Sequence, residues 1–427
     1  VAYATTSYNS GWQQGNIAVA LLSSTDTTNL TGTELVTNPG PYSNTTGWVA
    51  ANAGWSISNS NNRLVIDSGS QTGSYFGASQ TLTLVDGTKY VLVVNIHSQT
   101  KTAVIRLTAD GNYFTTTGLG TGEHAFYFTA NQASHSIFIG SDTGGTNRTQ
   151  EVSSVSIRPI EEDRSINGTG IGIYGTITKD LVAPGADLVY YGGFSNSNYL
   201  LQPYNSQLDF GTGDLHIMFW VRFSTNDAYD LLMARRAHDG SSYTGNGWYI
   251  EMGDDQNIQI KNSGGGTRAQ IDKDKNELVW QHICFVRRDN ISYSYKNGIL
   301  QPNTYAWTEN LDNSSAVLTI GRNTISGGGD ADKSRLSLVR IGADAPTEEQ
   351  IKKIYYDEKG LYTDNAKCTL YGTSDEITAL AYDDSNTILH AGTSSGRSEF
   401  QGLNRINNTT TAVTTAISAS DKLVAEQ

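Results

Sequence analysis

Short runs of β-branched and aromatic residues, separated by polar turns that contain glycine, recur along most of this 427-residue chain. Between residues 34 and 160, about seven or eight such runs follow one another at roughly ten-residue spacing, as in 90–96 (YVLVVNI) and 124–129 (HAFYFT). Strands of a sandwich have this length and spacing, whereas helices need longer runs with a 3.6-residue period. The pattern predicts an all-β fold of tandem sandwiches or jelly rolls.

Composition and charge exclude several function classes. The formal net charge is −13, so neutralisation of nucleic-acid phosphates and docking on an anionic membrane are both disfavoured. No run approaches the ~18 apolar residues of a membrane span, so we expect no membrane insertion. Two cysteines, Cys284 and Cys368, are too few for a disulfide framework or a cysteine zinc site.

Four segments are expected. Residues 1–33 are a β lead-in, whose pairing with the C-terminus is left open. A jelly roll follows at 34–160 and a second sandwich at 161–360, in which Asn297–Gly298 is a hairpin signal. One short helix is predicted at 346–359, because Thr347 and Gln350 match a capping box. Residues 361–427 resemble one propeller blade, which would need further strands from sequence before Val1 or from another chain.

Four segments of the second sandwich carry a resemblance. In order they are residues 208–225 (LDFGTGDLHIMFWVRFST), 280–287 (WQHICFVR), 295–298 (YKNG) and 318–322 (LTIGR). This order is similar to the laminin-G and concanavalin-A-like superfamily. The resemblance implies a two-sheet sandwich, in which Trp220, Trp280 and His282 are structural core residues.

Two further resemblances concern residues 34–160, where the likeness is looser, and nearly the whole chain. Residues 34–38 (ELVTN), 45–48 (TTGW) and 87–90 resemble the carbohydrate-binding jelly rolls appended to polysaccharide-degrading enzymes, which implies that Trp48 and Trp55 are core residues. Segments 3–12, 197–214 and 370–384 resemble tail or fibre proteins of marine bacteriophages. That resemblance implies a virion appendage, extracellular, with other tail proteins as partners.

Catalytic and metal motifs are weak. Glycosidases need two carboxylates, and the nearest acidic cluster, formed by Glu251, Asp254 and Asp255, contains a glycine that indicates a turn. Calcium is the one cofactor to expect, if any, because loop carboxylates bind it in related folds. Asp330 and Asp332 in a glycine-rich loop are the candidate ligands, and residues 272–276 are a weaker alternative.

Sugar binding needs exposed aromatic faces with polar neighbours. Adjacent aromatic pairs in strands are candidates because one member of each pair must face outward. The candidate carbohydrate-binding residues are Tyr75, Phe76, Tyr113, Trp248, Tyr249 and Trp307.

The sequence therefore predicts a non-enzymatic phage tail or fibre protein that binds host-surface polysaccharide. Two alternatives remain open. One is an accessory glycan-binding module of a secreted polysaccharide-degrading enzyme, and the other is a structural virion spacer without a ligand. A homotrimer is also an open expectation, since three chains can bury sheet edges that one chain cannot.

Overall fold

The computed structural model describes most of the chain, and the all-β prediction is confirmed. The described residues are 2–4, 9–12, 16–73, 76–109, 111–141, 144–223, 231–238, 242–253, 257–272, 279–322, 334–413, 416–418 and 424–426. They form two compact units. We call residues Thr31–Ile160 with Gly172–Gly175 the jelly-roll unit, and Val1–Leu30, Glu161–Ile171 and Thr176–Gln427 the sandwich unit. No helix in the described part is long and apolar enough to cross a membrane.

Two five-stranded antiparallel sheets make up the jelly-roll unit. Sheet I has the order Val49–Ala50, Phe76–Thr83, Ser134–Ser141, Ala103–Ala109 and Gly111–Leu119. Sheet II has the order Ser56–Ser60, Arg63–Asp67, Thr149–Glu161, Lys89–Gln99 and Gly122–Thr129.

Alternating burial explains how these two sheets form a core. In Arg63–Asp67 the side chains of Leu64 and Ile66 are buried, and their neighbours in the strand are half-buried. This is the two-residue period of a strand with one face on a core. Trp48 and Trp55 belong to the same core, as the sequence predicted.

Two larger sheets form the sandwich unit. Sheet III has the order Tyr199–Gln202, Val317–Ile320, Leu231–His238, Tyr243–Met252, Ile258–Asn262 and Thr267–Ile271. Sheet IV has the order Ile17–Leu21, Ser334–Gly342, Leu215–Phe223, Gln281–Arg288 and Ile291–Lys296. Further strands extend sheet IV at Ile171–Leu181, Val189–Gly192, Ile299–Leu300 and Tyr305–Ala306. Leu30–Gly32 also pairs with Ile171–Leu181.

The predicted hairpin and helix are both present. Asn297 and Gly298 have φ values of 54° and 76°, and they connect Ile291–Lys296 to Ile299–Leu300. Two successive positive φ angles are what a type I′ turn requires. Helix α1 spans Glu348–Glu358 with the predicted capping box, and short 3-10 turns lie at Ser206–Leu208 and Lys359–Tyr362.

The C-terminal part contains a four-stranded antiparallel meander, sheet V. Its strands, in order, are Ile377–Asp383, Ile388–Thr393, Gly396–Gln401 and Asn404–Thr409. Two further hairpins pair Ala2–Ala4 with Asn9–Trp12 and Ala416–Ser418 with Val424–Glu426. The meander has the connectivity of the predicted blade-like unit, while the four domain boundaries stay predictions.

Candidate functional site

A pocket of about 390 Å³ opens on the face of sheet IV that packs against helix α1. Its volume lies within the range of small-molecule sites. We call it the aromatic pocket. Its lining residues are Val182, Ala183, Pro184, Trp220, Arg222, Val279, Trp280, Tyr355, Lys359, Tyr362 and Asp364.

One strand leads from the helix-covered core into this pocket. Met218, Trp220 and Arg222 are every second residue of the strand Leu215–Phe223, so their side chains lie on the same face of sheet IV. Met218 packs in the cluster beneath helix α1, and the Trp220 ring lies 5.8 Å from that of Tyr355. Arg222, two residues further on, lines the pocket.

Three aromatic rings form the inner surface of the pocket. The Tyr362 ring stacks on Trp220 with a centroid distance of 4.1 Å and a 23° angle between planes. It also lies 5.0 Å from the Trp280 ring. Trp280 Nε1 donates a hydrogen bond of 2.9 Å to the carbonyl of Val182, which fixes the orientation of the half-buried indole.

A buried ion pair fixes the innermost ring. Trp220 Nε1 donates to Glu358 Oε2 at 2.8 Å, and Arg340 donates to both oxygens of the same carboxylate, one of them at 2.9 Å. Burial alone would raise the pKa of Glu358, but Arg340 lowers it below the usual value. Glu358 is therefore an anion at neutral pH that orients Trp220, and it is not itself a lining residue.

Behind Trp220 lies a neutral histidine. The His282 ring is 5.3 Å from that of Trp220, and its two nitrogens have no hydrogen-bond partner among the described residues. Burial lowers the pKa of His282 to about 4, although the charge of Glu358 acts in the opposite direction. The imidazole is thus uncharged at neutral pH and acts as a core residue, as the resemblance implied.

Polar groups surround the aromatic rings. Arg222 is half-buried, while Lys359 and Asp364 are exposed. Burial raises the pKa of the Tyr355 hydroxyl, which therefore stays protonated and can both donate and accept hydrogen bonds at neutral pH. Aromatic faces with a few polar groups around them match what a sugar ring needs for stacking and hydroxyl recognition.

The pocket does not carry a glycosidase carboxylate pair. Asp364 is the one acidic residue among its described lining residues. The sequence candidate Glu251 pairs with Lys261 at 2.7 Å in sheet III, and its partners Asp254 and Asp255 lie outside the described residues.

Two predicted platform residues need correction. Trp248 and Trp307 are fully buried. Trp248 alternates with Tyr249 along Tyr243–Met252 and shares the core-facing side with Ile250. The Trp307 ring lies beneath a buried guanidinium, that of Arg287, at 5.3 Å. A ring without an accessible face cannot stack on a sugar, so both leave the candidate list.

Phe76 and Tyr249 are half-buried and belong to different units. The Arg106 guanidinium lies 4.1 Å from the Phe76 ring, and that of Arg236 lies 4.0 Å from the Tyr249 ring. Each aromatic ring thus has an arginine on one face. Neither residue lines the aromatic pocket.

The remaining predicted site residues are not described. Tyr75, Asp330 and Asp332 lie outside the described residues, as do 273–276 of the weaker calcium candidate. The backbone of Tyr113 lies in Gly111–Leu119, but its side chain is also outside. Within the part of the chain that is described, no group of three or more His, Cys, Asp or Glu could hold a metal ion.

Sequence reasoning missed the residues that form the pocket. The sequence analysis placed Trp280 in the core, within the segment 280–287. The strand instead begins at Gln281, which leaves Trp280 at its edge. Tyr355 lies on helix α1, and Tyr362 lies in the 3-10 turn after it. The apolar face of a helix can be read from the sequence, but the part of the sheet that the helix covers cannot.

Comparison with known proteins agrees with the fold of the sandwich unit. Residues 194–352 match the family Laminin_G_3, described as the concanavalin A-like lectin/glucanases superfamily. This region carries a concanavalin A-like lectin domain. The match includes the four segments whose order predicted it, and it includes Trp220, Arg222 and Trp280 of the pocket. No curated protein sequence matches the chain.

Several solved structures share a distant likeness. Domain 4 of AbnA, an extracellular arabinanase from Geobacillus stearothermophilus, in complex with arabinotriose, is 16% identical over 45% of this chain and 92% of that one, with a TM-score of 0.35. The botulinum neurotoxin serotype D binding domain is 12% identical over 56% and 60%, with a TM-score of 0.38. The botulinum neurotoxin type G receptor binding domain is 12% identical over 62% of this chain and 66% of that one, with a TM-score of 0.35. This chain therefore spans less than two thirds of either toxin domain, and such low scores carry no functional weight.

Proposed function

We propose that this chain is a non-enzymatic appendage protein of a phage virion that binds host-surface polysaccharide through the aromatic pocket. The observation that carries the binding function is the open cluster of Trp280, Tyr355 and Tyr362 on a lectin-like sandwich. These rings offer apolar faces to a sugar, and Arg222, Lys359 and Asp364 offer hydrogen bonds to its hydroxyls.

The virion part of the proposal is supported by the resemblance of segments 3–12, 197–214 and 370–384 to marine phage tail proteins. In that setting the chain is extracellular and contacts other tail proteins. Calcium bound by Asp330 and Asp332 is a proposed addition, so glycan binding is measured with calcium and with a chelator.

Glycan binding is tested with the full chain on an array of bacterial and algal polysaccharides. Trp280→Ala removes one wall of the pocket. We expect about tenfold weaker binding, because the contact of a sugar with one aromatic ring contributes up to about 1.5 kcal/mol. Tyr204→Ala is the matched control, since Tyr204 is an exposed tyrosine of the same unit outside the pocket.

Circular dichroism and thermal unfolding of both variants show whether the fold is retained. Selective binding by the native chain, lost in Trp280→Ala and kept in Tyr204→Ala, supports the proposal. Equal binding by the two folded variants would place the glycan elsewhere. Release of reducing ends from a bound polysaccharide would contradict the non-enzymatic assignment.

A further inference from the structure

Two arginines face each other next to the aromatic pocket. Arg222 on Leu215–Phe223 and Arg335 on Ser334–Gly342 are direct partners in the register of sheet IV. Side chains opposite each other on antiparallel strands have Cβ atoms about 5 Å apart, and like charges in this position destabilise the sheet. Burial and the charge of Arg335 both lower the pKa of Arg222, which reflects this repulsion.

No described carboxylate compensates this pair. Neither arginine forms an ion pair with a described residue, and Arg222 Nε is buried without a hydrogen-bond partner in the described part of the chain. The Arg335 guanidinium lies 4.9 Å from the ring of Tyr190. Asp180 is the register partner of Tyr190, and its carboxylate interacts with the Tyr190 hydroxyl. Among the described residues, these two neighbouring cations therefore have no carboxylate partner.

The pair is continuous with the pocket. Arg222 is itself a lining residue, and Arg335 is connected to the pocket through Tyr190, whose ring is 6.1 Å from that of Trp280. Lys359 adds another positive charge to the lining, against the single carboxylate of Asp364. This local excess of cations contrasts with the net charge of −13 of the whole chain.

We propose that the aromatic pocket selects acidic polysaccharide, with the anionic substituent of one sugar residue held between Arg222 and Arg335. This inference rests on the proposed glycan binding and names its ligand class. The shared chemistry is an oxyanion with two or more equivalent oxygens, which a guanidinium binds in a forked, charge-assisted geometry. A uronate carboxylate and a sulfate ester are the two sources of such a group.

The test is calorimetric titration of the full chain with three probes: polygalacturonate, a sulfated galactan and an uncharged galactan. We expect the native chain to bind one acidic probe at least tenfold more tightly than the uncharged one, and to weaken as salt rises. Binding of polygalacturonate would identify a carboxylate as the recognised group, and binding of the sulfated galactan would identify a sulfate.

Variants separate the arginine pair from general charge. Arg222→Gln with Arg335→Gln should lose at least tenfold in affinity for the acidic probe while raising the unfolding temperature of the free protein, because the like-charge repulsion is relieved. Lys352→Gln is the matched control: Lys352 is exposed on helix α1 and outside the pocket, so this variant should bind like the native chain.

The outcomes distinguish the two proposals. Equal affinity for charged and uncharged probes, lost in Trp280→Ala but kept in the arginine double variant, would overturn the acidic ligand and leave glycan binding in place. Acidic binding that Lys352→Gln reduces as much as the double variant would also overturn it, as a nonspecific charge effect. Absence of binding to these probes and to the polysaccharide array would overturn both.

Discussion

At the scale of single residues, His282 makes stability depend on pH. Its pKa of about 4 in the folded protein lies below the ~6.5 of an unfolded chain, so only the unfolded state takes up a proton between these values. Its contribution is complete above pH 6.5 and is lost as the pH falls to 4. The expected loss is about 3 kcal/mol in the free energy of unfolding.

His282→Phe should remove this dependence. An apolar ring of similar size suits a site whose imidazole nitrogens lack described partners, so we expect unchanged or higher stability at pH 7. Urea unfolding followed by tryptophan fluorescence at pH 7 and pH 4.5 measures the difference. His97→Phe, at an exposed histidine, should keep the native pH response, and an unchanged pH response in His282→Phe would contradict the assignment.

At the scale of elements, a capping box stabilises the N-terminus of helix α1, the helix that carries Tyr355 of the pocket. The Thr347 hydroxyl accepts a hydrogen bond from the backbone of Gln350, and the Gln350 side chain accepts one from the backbone of Thr347. Thr347→Ala should therefore lower the free energy of unfolding by about 1 kcal/mol. Lys352→Ala, at an exposed position inside the helix, should change it by less than about 0.5 kcal/mol. Equal effects of the two changes in urea titrations would show that the cap is not the cause.

The same helix shows what sequence reasoning could and could not reach. Its start followed from a local signal, because a capping box acts within a few residues. The Asn297–Gly298 hairpin was accessible for the same reason. Local patterns also showed that one of Trp248 and Tyr249 must face outward, but the register with neighbouring strands decides which.

The pocket depends on contacts between distant parts of the chain. Arg222 lies in one strand, Trp280 directly precedes the neighbouring strand, and Tyr362 lies in a 3-10 turn. The pocket exists only where helix α1 no longer covers sheet IV. No pattern within one segment encodes such a place. The arginine pair was missed for the same reason, since Arg222 and Arg335 become neighbours only in the register of the folded sheet.

At the scale of the whole molecule, sheet V carries exposed apolar side chains that would suit the homotrimer that the sequence analysis left open. Leu380 and Tyr382 are two residues apart in Ile377–Asp383, so their side chains lie on the same face of the sheet. Each is about half exposed (50% and 51%). Large apolar side chains grouped on one exposed sheet are typical of association surfaces. Three chains would also bring three aromatic pockets together, and linked sites bind a repeating polysaccharide more tightly than single ones.

Sedimentation equilibrium of the native chain should therefore give three times the chain mass of 46.2 kDa. Leu380→Lys with Tyr382→Lys should give the mass of one chain, because each charge would be buried unpaired in the interface. Val85→Lys, at an exposed valine of the jelly-roll unit, is the control and should leave the trimer intact. A native chain that sediments as a monomer contradicts the trimer without affecting the pocket. If the trimer forms, the monomeric variant should keep its affinity for a single oligosaccharide in solution and lose at least tenfold in binding to immobilised polysaccharide, since only the latter engages several pockets at once.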